Sequence, residues 1–529
     1  MKALCTLLLS LISCSVIAQV GGPALLWLSG YGGDKDDQVG APVTKTQDGG
    51  FIIVFDSNSD SATGDIDSFC NISGGRTIFL KYNADASILE WSKCYGYDGD
   101  TGLAYMFPTN NGGTVLGGQY TSAEGWGFYI CKQDAMGNIV WSHGYSKGMG
   151  PLLGNMVATD DGGYLMSGQC YYVDTNTTTH YGSSMSADIW ILKLDSLGNK
   201  VWSRVIGGSE QENVFSIILA PDGGCYIAGT TQSSDYDCTG YHGGGQDLYL
   251  ARLDSNGNLL WHRDLGGSGL DGNWGWGTSD GNGGVLIACG STSTDGDEHH
   301  HIGGYDYWAL DVDSNSNILW ENCYGGPAGN ESATAICKAA DGSIWINGIS
   351  GTPSGEVDTM YGLSGAWVVH TDSAGNFLSG KVLGGEGTNW GQMIYPLTGG
   401  LVIAGGYYTI AGGLFSSLMA YGSFPTSDAF ICVLAPWPES VQQINTTNSS
   451  VKIYPNPATD EVQVSVTSLV NEYCTISINN LVGNQIYSGT IQKNNDNITI
   501  DTKDWAKGIY IVQVISENGL KTVKKLLVE

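Results

Sequence analysis

Residues Leu253 to Trp261 read LDSNGNLLW, and the phrase recurs as LDSLGNKVW ending at Trp202 and VDSNSNILW ending at Trp320. Asp-x-x-Gly-Asn between two apolar runs is hairpin chemistry, because Asn and Gly tolerate positive φ and Asp bonds the backbone two residues on. Aligned down the chain, the final Trp or its equivalent falls at Trp27, Trp91, Trp141, Trp202, Trp261, Trp320 and, degraded, Ser379. The steps are 64, 50, 61, 59, 59 and 59 residues. A phrase returning at that interval counts structural units.

Two further markers keep the same period. A turn of the Asp-Gly-Gly type sits at 48–50, 111–113, 161–163, 222–224, 282–284, 341–343 and 398–400. An apolar strand sits at 77–83, 127–134, 188–195, 247–254, 306–313, 365–372 and 428–435. One unit therefore reads as strand FSIILA (Phe215 to Ala220), turn, strand CYIAG (Cys225 to Gly229), long loop, strand LYLARL (Leu248 to Leu253), turn, and strand LLWHRDL (Leu259 to Leu265). Four antiparallel strands in about 60 residues make a propeller blade. The coils of a solenoid are shorter, and the units of tandem sandwiches are longer.

The ends support closure. A fourth-strand phrase, ALLWLSGYGG at Ala24 to Gly33, precedes the first complete unit, and the last unit stops at DAFICVLA without one. The expectation is an all-β fold with a seven-bladed β-propeller over residues 19–435, its ring closed by the N-terminal strand so that no raw edge remains. The 50-residue step reflects a short loop, QYTSAEGWG (Gln119 to Gly127), in the second unit.

Composition agrees. The 529 residues include 79 Gly, 28 Tyr and 16 Trp, suited to short strands and tight turns. Asp and Glu number 52 against 22 Lys and Arg, a net charge of −30, which makes nucleic acid and anionic lipid poor partners. Met1-Lys2, an apolar run from Ala3 to Ile12 and Val16-Ile17-Ala18 form a secretory signal cleaved after Ala18, giving a signal peptide at 1–18. A rival reading acylates Cys14. Of 13 cysteines, Cys5 and Cys14 fall in the signal; the remaining eleven are dispersed without CxxC pairs, which argues against a zinc site or a dense disulfide framework. The one bridge to consider is Cys225 to Cys238.

Residues 436–450, starting Pro436-Trp437-Pro438, read as a linker. Residues 451–529 alternate in strands and predict a small Ig-like β-sandwich. This stretch resembles the type A sorting domain of the type IX secretion system of Bacteroidota. The resemblance rests on Tyr454-Pro455-Asn456-Pro457-Ala458, the Gly483 turn with Ile486-Tyr487, Gly508-Ile509-Tyr510 and Lys524-Lys525-Leu526-Leu527-Val528. It implies recognition by the type IX machinery through 451–529, and release to the medium or the outer-membrane surface. The repeats upstream are similar to secreted Bacteroidota propellers with phrases of the DGGhhhaG and KLDxxGNxxW types, which implies fold and location only. The D-x-x-G-N-x-x-W wording is also similar to quinoprotein propellers, but no cofactor-site residues accompany it.

No H-E-x-x-H or P-loop is present, no catalytic residue is assigned and no cofactor is expected. The first-to-second and third-to-fourth turns share one face of a propeller. The second-to-third loops and the inter-blade links share the other, where sequence varies and binding is expected. Trp274, Trp276 and Trp390 read as aromatics on inter-blade links, with Trp126 in the short loop; packing around the channel mouth is the first reading, and sugar stacking by flat rings beside Asp and Asn is the second. The acidic loop with Asp56, Asn58, Asp60, Asp65 and Asp67 reads first as solvated and second as a calcium site, lacking the glycine of the helical calcium loop. His299-His300-His301 is a clustered run that does not by itself supply converging ligands. The repeated Trp reads as packing between neighbouring sheets. The resulting reading is a non-enzymatic extracellular binding or adhesion module for a glycan or protein. The alternative is a secreted carbohydrate-active enzyme with carboxylates on the variable face.

Overall fold

The computed structural model describes residues 25–40, 43–46, 48–59, 75–96, 101–122, 125–148, 153–171, 179–183, 186–357, 360–397, 400–408, 415, 418, 427–435, 451–455, 458–466, 474–480, 485–491, 497–503, 505, 507–516 and 521–528. The signal segment, the residues between 435 and 451, and Asp60, Asp65 and Asp67 lie outside them. The chain divides into two compact units, Met1–Trp437 and Pro438–Glu529.

In the first unit the described residues form seven antiparallel sheets in chain order. Sheet 4 is typical: Glu212–Leu219, Cys225–Thr231, Asp247–Leu253 and Leu259–Leu265 pair in succession. Sheet 7 takes Asn389–Leu397, Gly400–Tyr408 and Ser427–Leu434 from the end of the unit and Leu25–Tyr31 from its beginning, with Leu28 opposite Cys432 and Tyr31 opposite Ala429. The orphan phrase thus closes the ring, as its position predicts. In sheet 2 the short loop shrinks to two residues between Thr114–Ser122 and Gly125–Gln133.

Each pair of neighbouring sheets encloses its own apolar cluster. Ile227, Tyr249 and Ala251 of sheet 4 meet Ile189 and Ile191 of sheet 3, and Phe51, Ile53 and Tyr82 of sheet 1 meet Val402, Ala404 and Ile431 of sheet 7. Such faces are buried on both sides, so the third strands are buried along their whole length and carry the largest enclosed rings, Trp190, Trp308 and Trp367. The repeating fourth-strand Trp is only half-buried. Trp202 Nε1 donates to Ser255 O of the next sheet at 2.9 Å, and Trp261 Nε1 to Ser314 O at 3.0 Å. A Cβ on Gly257 would sit 2.7 Å from the Trp202 ring. The Trp is therefore a peg between sheets at their outer margin, where a large ring keeps one edge wet.

The hairpin phrase behaves as its chemistry demands. Asp254 Oδ1 accepts the Asn256 and Asn258 amides at 2.8 and 2.9 Å, Asp254 Oδ2 takes Asn258 Nδ2 at 2.8 Å, and Gly257 adopts φ +80°. The same arrangement recurs at Asp134, Asp195, Asp313 and Asp372. On the same face a buried third-strand cation latches the Asp-Gly-Gly turn: Lys81 to Asp48 at 3.0 Å, Lys193 to Asp161 at 2.8 Å and Arg252 to Asp222 at 2.6 Å.

The Cys225–Cys238 bridge is not formed. Both thiols are free and buried, because Cys225 opens a strand whose far end leads into the Cys238 loop, and six residues at about 3.3 Å each exceed the reach of a disulfide. Cys94 is the disulfide-bonded cysteine among the described residues.

The second unit is a sandwich. Val451–Tyr454, Glu461–Val466 and Asn497–Asp501 form one sheet; Gln485–Ile491, Cys474–Asn480, Gly508–Ser516 and Lys521–Val528 form the other. Val462, Val464, Ile476, Ile478, Tyr510, Val512 and Leu526 fill the space between.

Candidate functional site

The loop face is less variable than its sequence suggests. The links read YGGDKDD, IGGSEQE, LGGSGLD, YGGPAGNE and LGGEGTN, and each ends on a buried residue that opens a first strand: Asp37, Glu212, Asp271, Glu331 and Asn389. The link turns back on itself so that Gly33, Gly208 and Gly267 each donate their amide to the acid four residues on, all at 2.8 Å, and Gly385 does so to Asn389 Oδ1 at 3.3 Å. A hydroxyl from the second strand or just beyond completes the cradle: Ser59 to Asp37 at 2.9 Å, Thr231 to Glu212 at 2.7 Å, Ser293 to Asp271 at 2.6 Å and Ser350 to Glu331 at 2.9 Å.

A second acid faces the junctions at Glu212, Asp271 and Glu331 from the neighbouring sheet. Asp188, Asp247 and Asp306 open third strands and accept the amides of Tyr181, His242 and Ile302 at 2.6, 2.8 and 2.7 Å. Asp188 and Glu212 straddle Gly207, whose absent Cβ would overlap Asp188 Oδ1 and lie 2.9 Å from Glu212 Oε2. Glycine is needed there because only its Cα hydrogen fits against the oxygen, a weak donor to an atom with no other partner.

These acids titrate abnormally. Burial lifts Asp188 from 3.8 to about 8, and Asp37 and Asp247 to about 6. The folded protein therefore holds protons that the unfolded chain releases above its ordinary carboxylate pKa, and stability from these groups, complete below that value, is lost as pH rises through the folded ones. The turn aspartates run the other way: Thr46 and Lys81 hold Asp48, and Lys193 and Thr159 hold Asp161, at about 2, so their stabilisation is lost only in acid. His370, pushed down to about 4 by burial, opposes the junction acids as a single group. The thermal midpoint is expected to rise by about 2–5 °C from pH 8 to pH 5.5 and to fall below about pH 4. Calorimetry finding a midpoint that falls between pH 8 and 5.5 would contradict the buried-acid assignment.

The aromatic candidates separate. Trp274, Trp276 and Trp390 lie inside first strands, Asp271–Ser279 and Asn389–Leu397, not on the links where their flanking glycines suggested. First strands of neighbouring sheets touch one another, which places them innermost in the ring. Each carries a bulge. In sheet 4, Val214 and Ser216 face Gly229 and Ala228; in sheet 6, Ala333 and Ala335 face Gly348 and Asn347. One residue is extruded in each, Phe215 and Thr334. In sheet 5 the register shifts twice, Asp271 and Asn273 facing Ser291 and Gly290, then Asn273 and Trp276 facing Gly290 and Ala288, so the bulged stretch carries one residue more than in sheets 4 and 6. Trp274 sits in that enlarged bulge at φ +56° with 71% of its surface exposed. Trp276 packs against the sheet 5–sheet 6 cluster, and Trp390 lies 5.2 Å from the Tyr408 ring. Trp126 belongs to the strand Gly125–Gln133, and its side chain lies outside the described residues.

Of the proposed calcium ligands, Asp56 belongs to strand Phe51–Ser57 and accepts the Thr77 hydroxyl at 2.8 Å, and Asn58 is exposed. Asp60, Asp65 and Asp67 are not among the described residues. The histidine run divides: His299 and His300 face Glu321 at 3.4 and 2.7 Å, whereas His301 faces Glu298 and Asp306 at 3.0 and 3.3 Å. In the C-terminal unit, Gly508 and buried Tyr510 open one strand and Lys524 and Lys525 lie in the last, opposite Val512 and Ile511. Pro455 follows the first strand, and Asn456 and Pro457 lie outside the described residues.

Fold and faces together define an all-β propeller joined to a compact two-sheet domain. Residues 452–529 match the family described as the secretion system C-terminal sorting domain. The chain is thus a cargo of the type IX secretion system, exported to the cell surface or the extracellular space and engaging that machinery through this domain. An endo-acting ulvan lyase of Formosa agariphila is 34% identical over 82 residues, 15% of this chain and 15% of the lyase. Among solved structures, puromycin hydrolase is similar at 12% identity with a TM-score of 0.43, covering 81% of this chain and 58% of its own. A quinoprotein alcohol dehydrogenase-like protein from Bacteroides thetaiotaomicron is similar at 12% identity and a TM-score of 0.35, covering 66% of each chain.

Proposed function

We propose that the propeller is a non-enzymatic extracellular binding module, engaging a neutral polymer, a glycan in the first instance, on the loop face around Trp274. One observation carries the reading: a tryptophan inserted into an innermost strand, held at positive φ and 71% exposed. Exposing a large ring in a strained backbone costs free energy at two levels, and such residues persist where their conformation serves a ligand. A ring fixed this way offers a flat apolar platform with the edge N–H free to select polar neighbours. The charge of −30 steers against anionic polymers at low salt and leaves neutral ones unopposed.

The enzymatic alternative requires carboxyls that reach a substrate. Of the acids of raised pKa on this face, Asp37, Asp188, Asp247 and Glu331 are fully buried and already hydrogen-bonded to the scaffold, which supports binding over catalysis. Display of the purified full chain on an array of glycans and surface polymers is expected to give retention on at least one neutral polymer with no reducing ends released. Absence of all retention would sink the binding reading, and release of reducing ends abolished by one Asp→Asn change on the loop face would establish the alternative.

A further inference from the structure

The second-to-third loops of sheets 4, 5 and 6 follow one template. The amides of Asp237, Asp297 and Glu356 donate to Gly207 O, Gly266 O and Gly325 O at 3.1, 2.8 and 3.1 Å, each preceded by a residue at positive φ, Tyr236, Gly296 and Gly355. The next residue is buried in all three: Cys238 at 0%, Glu298 at 2% and Val357 at 2%. A thiol, a carboxylate and an isopropyl group thus occupy one structural position. Val357 shows that the position suits an apolar side chain, and a carboxylate in such a place costs several kcal/mol unless it is compensated.

The compensation in sheet 5 is incomplete without a cation. His301 Nδ1 lies 3.0 Å from Glu298 Oε1 and 3.3 Å from Asp306 Oδ2, and the three atoms fall within 4.8 Å of one another. The Cys323 thiol reaches Glu298 Oε1 at 3.0 Å. Around them, the Ser291 hydroxyl donates to Glu298 Oε2, and the amides of Ile302 and Gly303 orient Asp306 at 2.7 and 3.0 Å. Two carboxylates face a single imidazole, and neither has a Lys or Arg ion-pair partner among the described residues. In sheet 4 the same two positions hold Cys238 and Asp264, the acid and the thiol exchanged, beside His242 and Asp247. There Asp264 accepts the Gly240 amide instead, so that sheet is a natural comparison.

We propose that Glu298, His301 and Asp306 bind one divalent cation of the zinc class. An imidazole nitrogen and two carboxylate oxygens suit zinc, whereas calcium takes oxygen alone. Bonds of the usual length around zinc set donor atoms about 3.3 Å apart in a tetrahedron, and the two His301 separations already match. Ser291, Ile302 and Gly303 are the outer partners that hold such ligands in place. The cation neutralises the buried charge and staples the loop 292–305 to the third strand that Asp306 opens.

The test uses the full chain, stripped with a chelator and titrated with Co2+ as a spectroscopic probe, then with Zn2+ as competitor. The expected result is one equivalent of Co2+ with the visible absorption of a low-coordinate cobalt site, displaced by Zn2+. Glu298→Val, which installs the residue that sheet 6 carries, is expected to abolish the equivalent while leaving the metal-free thermal midpoint unchanged or higher. Cys238→Ser in sheet 4 is expected to leave the equivalent and its absorption intact. No bound equivalent in the unaltered chain, or an equivalent retained by Glu298→Val, overturns the site.

Discussion

A chain lacking residues 25–31 is expected to lose cooperative unfolding of the propeller altogether. That strand is the fourth of sheet 7, paired from Leu25 to Tyr31 against Ser427–Leu434. Without it a strand of eight buried residues becomes a bare edge, open to pairing with other chains. The loss extends beyond one ladder. Tyr31 packs in the cluster joining sheets 1 and 7 and its hydroxyl meets that of Tyr82 at 2.8 Å, while the segment just beyond carries Asp36, which accepts the Ser427 amide at 2.9 Å. The milder change Tyr31→Ala is expected to cost about 3–5 kcal/mol, by cavity formation and a stranded Tyr82 hydroxyl. Calorimetry of both variants checks this, and a deletion that keeps a single transition within a few degrees of the parent would show that the ring is not held by its N-terminal strand.

Deletion of residues 451–529 is expected to move essentially all of the propeller from medium and cell surface to the inside of the envelope. The deleted unit has its own core of Val462, Ile476, Tyr510, Val512 and their neighbours. The change therefore removes an address while leaving the seven sheets their cores. Fractionation with an antibody to the propeller measures it. Undiminished appearance of the truncated chain outside the cell would refute the role assigned to the sorting domain.

Much of this architecture was legible because it repeats through turn chemistry. LDSNGNLLW needs a positive-φ residue in its turn, Gly in most copies but Ala86 and Ser316 in two, so its copies survive and mark every fourth strand up to Trp320, and even the degraded copy at Ser379 is placed correctly by its turn. What escaped the sequence depends on register. Strand Cys225–Thr231 was expected to end at Gly229, since glycine reads as a break; its last residue, Thr231, is the hydroxyl that holds Glu212. Seven buried junction acids disappear among 52 acidic residues unless the preceding Gly-Gly pairs are read with them. That recurring Gly-Gly-to-acid spacing was the available signal, and it shows that the links are scaffold.

For a related reason the sequence names Trp274 only alongside Trp276 and Trp390, and does not single out Glu298. Trp274 looks like its neighbour Trp276 until strand pairing reveals an extra residue in the bulge. Glu298 looks like one more acid in STDGDEHHH until its counterparts prove to be Cys238 and Val357. Both are departures from the repeat within one sheet. In a molecule whose repeated features serve folding, such departures are where a binding role is to be sought.

The central claim is that function resides on the loop face while the repeated turn face is scaffold. It is tested most directly by measuring the affinity of the full chain for its best array polymer after Trp274→Ala on the loop face and Leu197→Ala on the turn face, both residues being exposed. The account predicts at least a tenfold loss for Trp274→Ala and no change for Leu197→Ala, with thermal midpoints intact. Undiminished binding by Trp274→Ala, or equal loss in both variants, would contradict it.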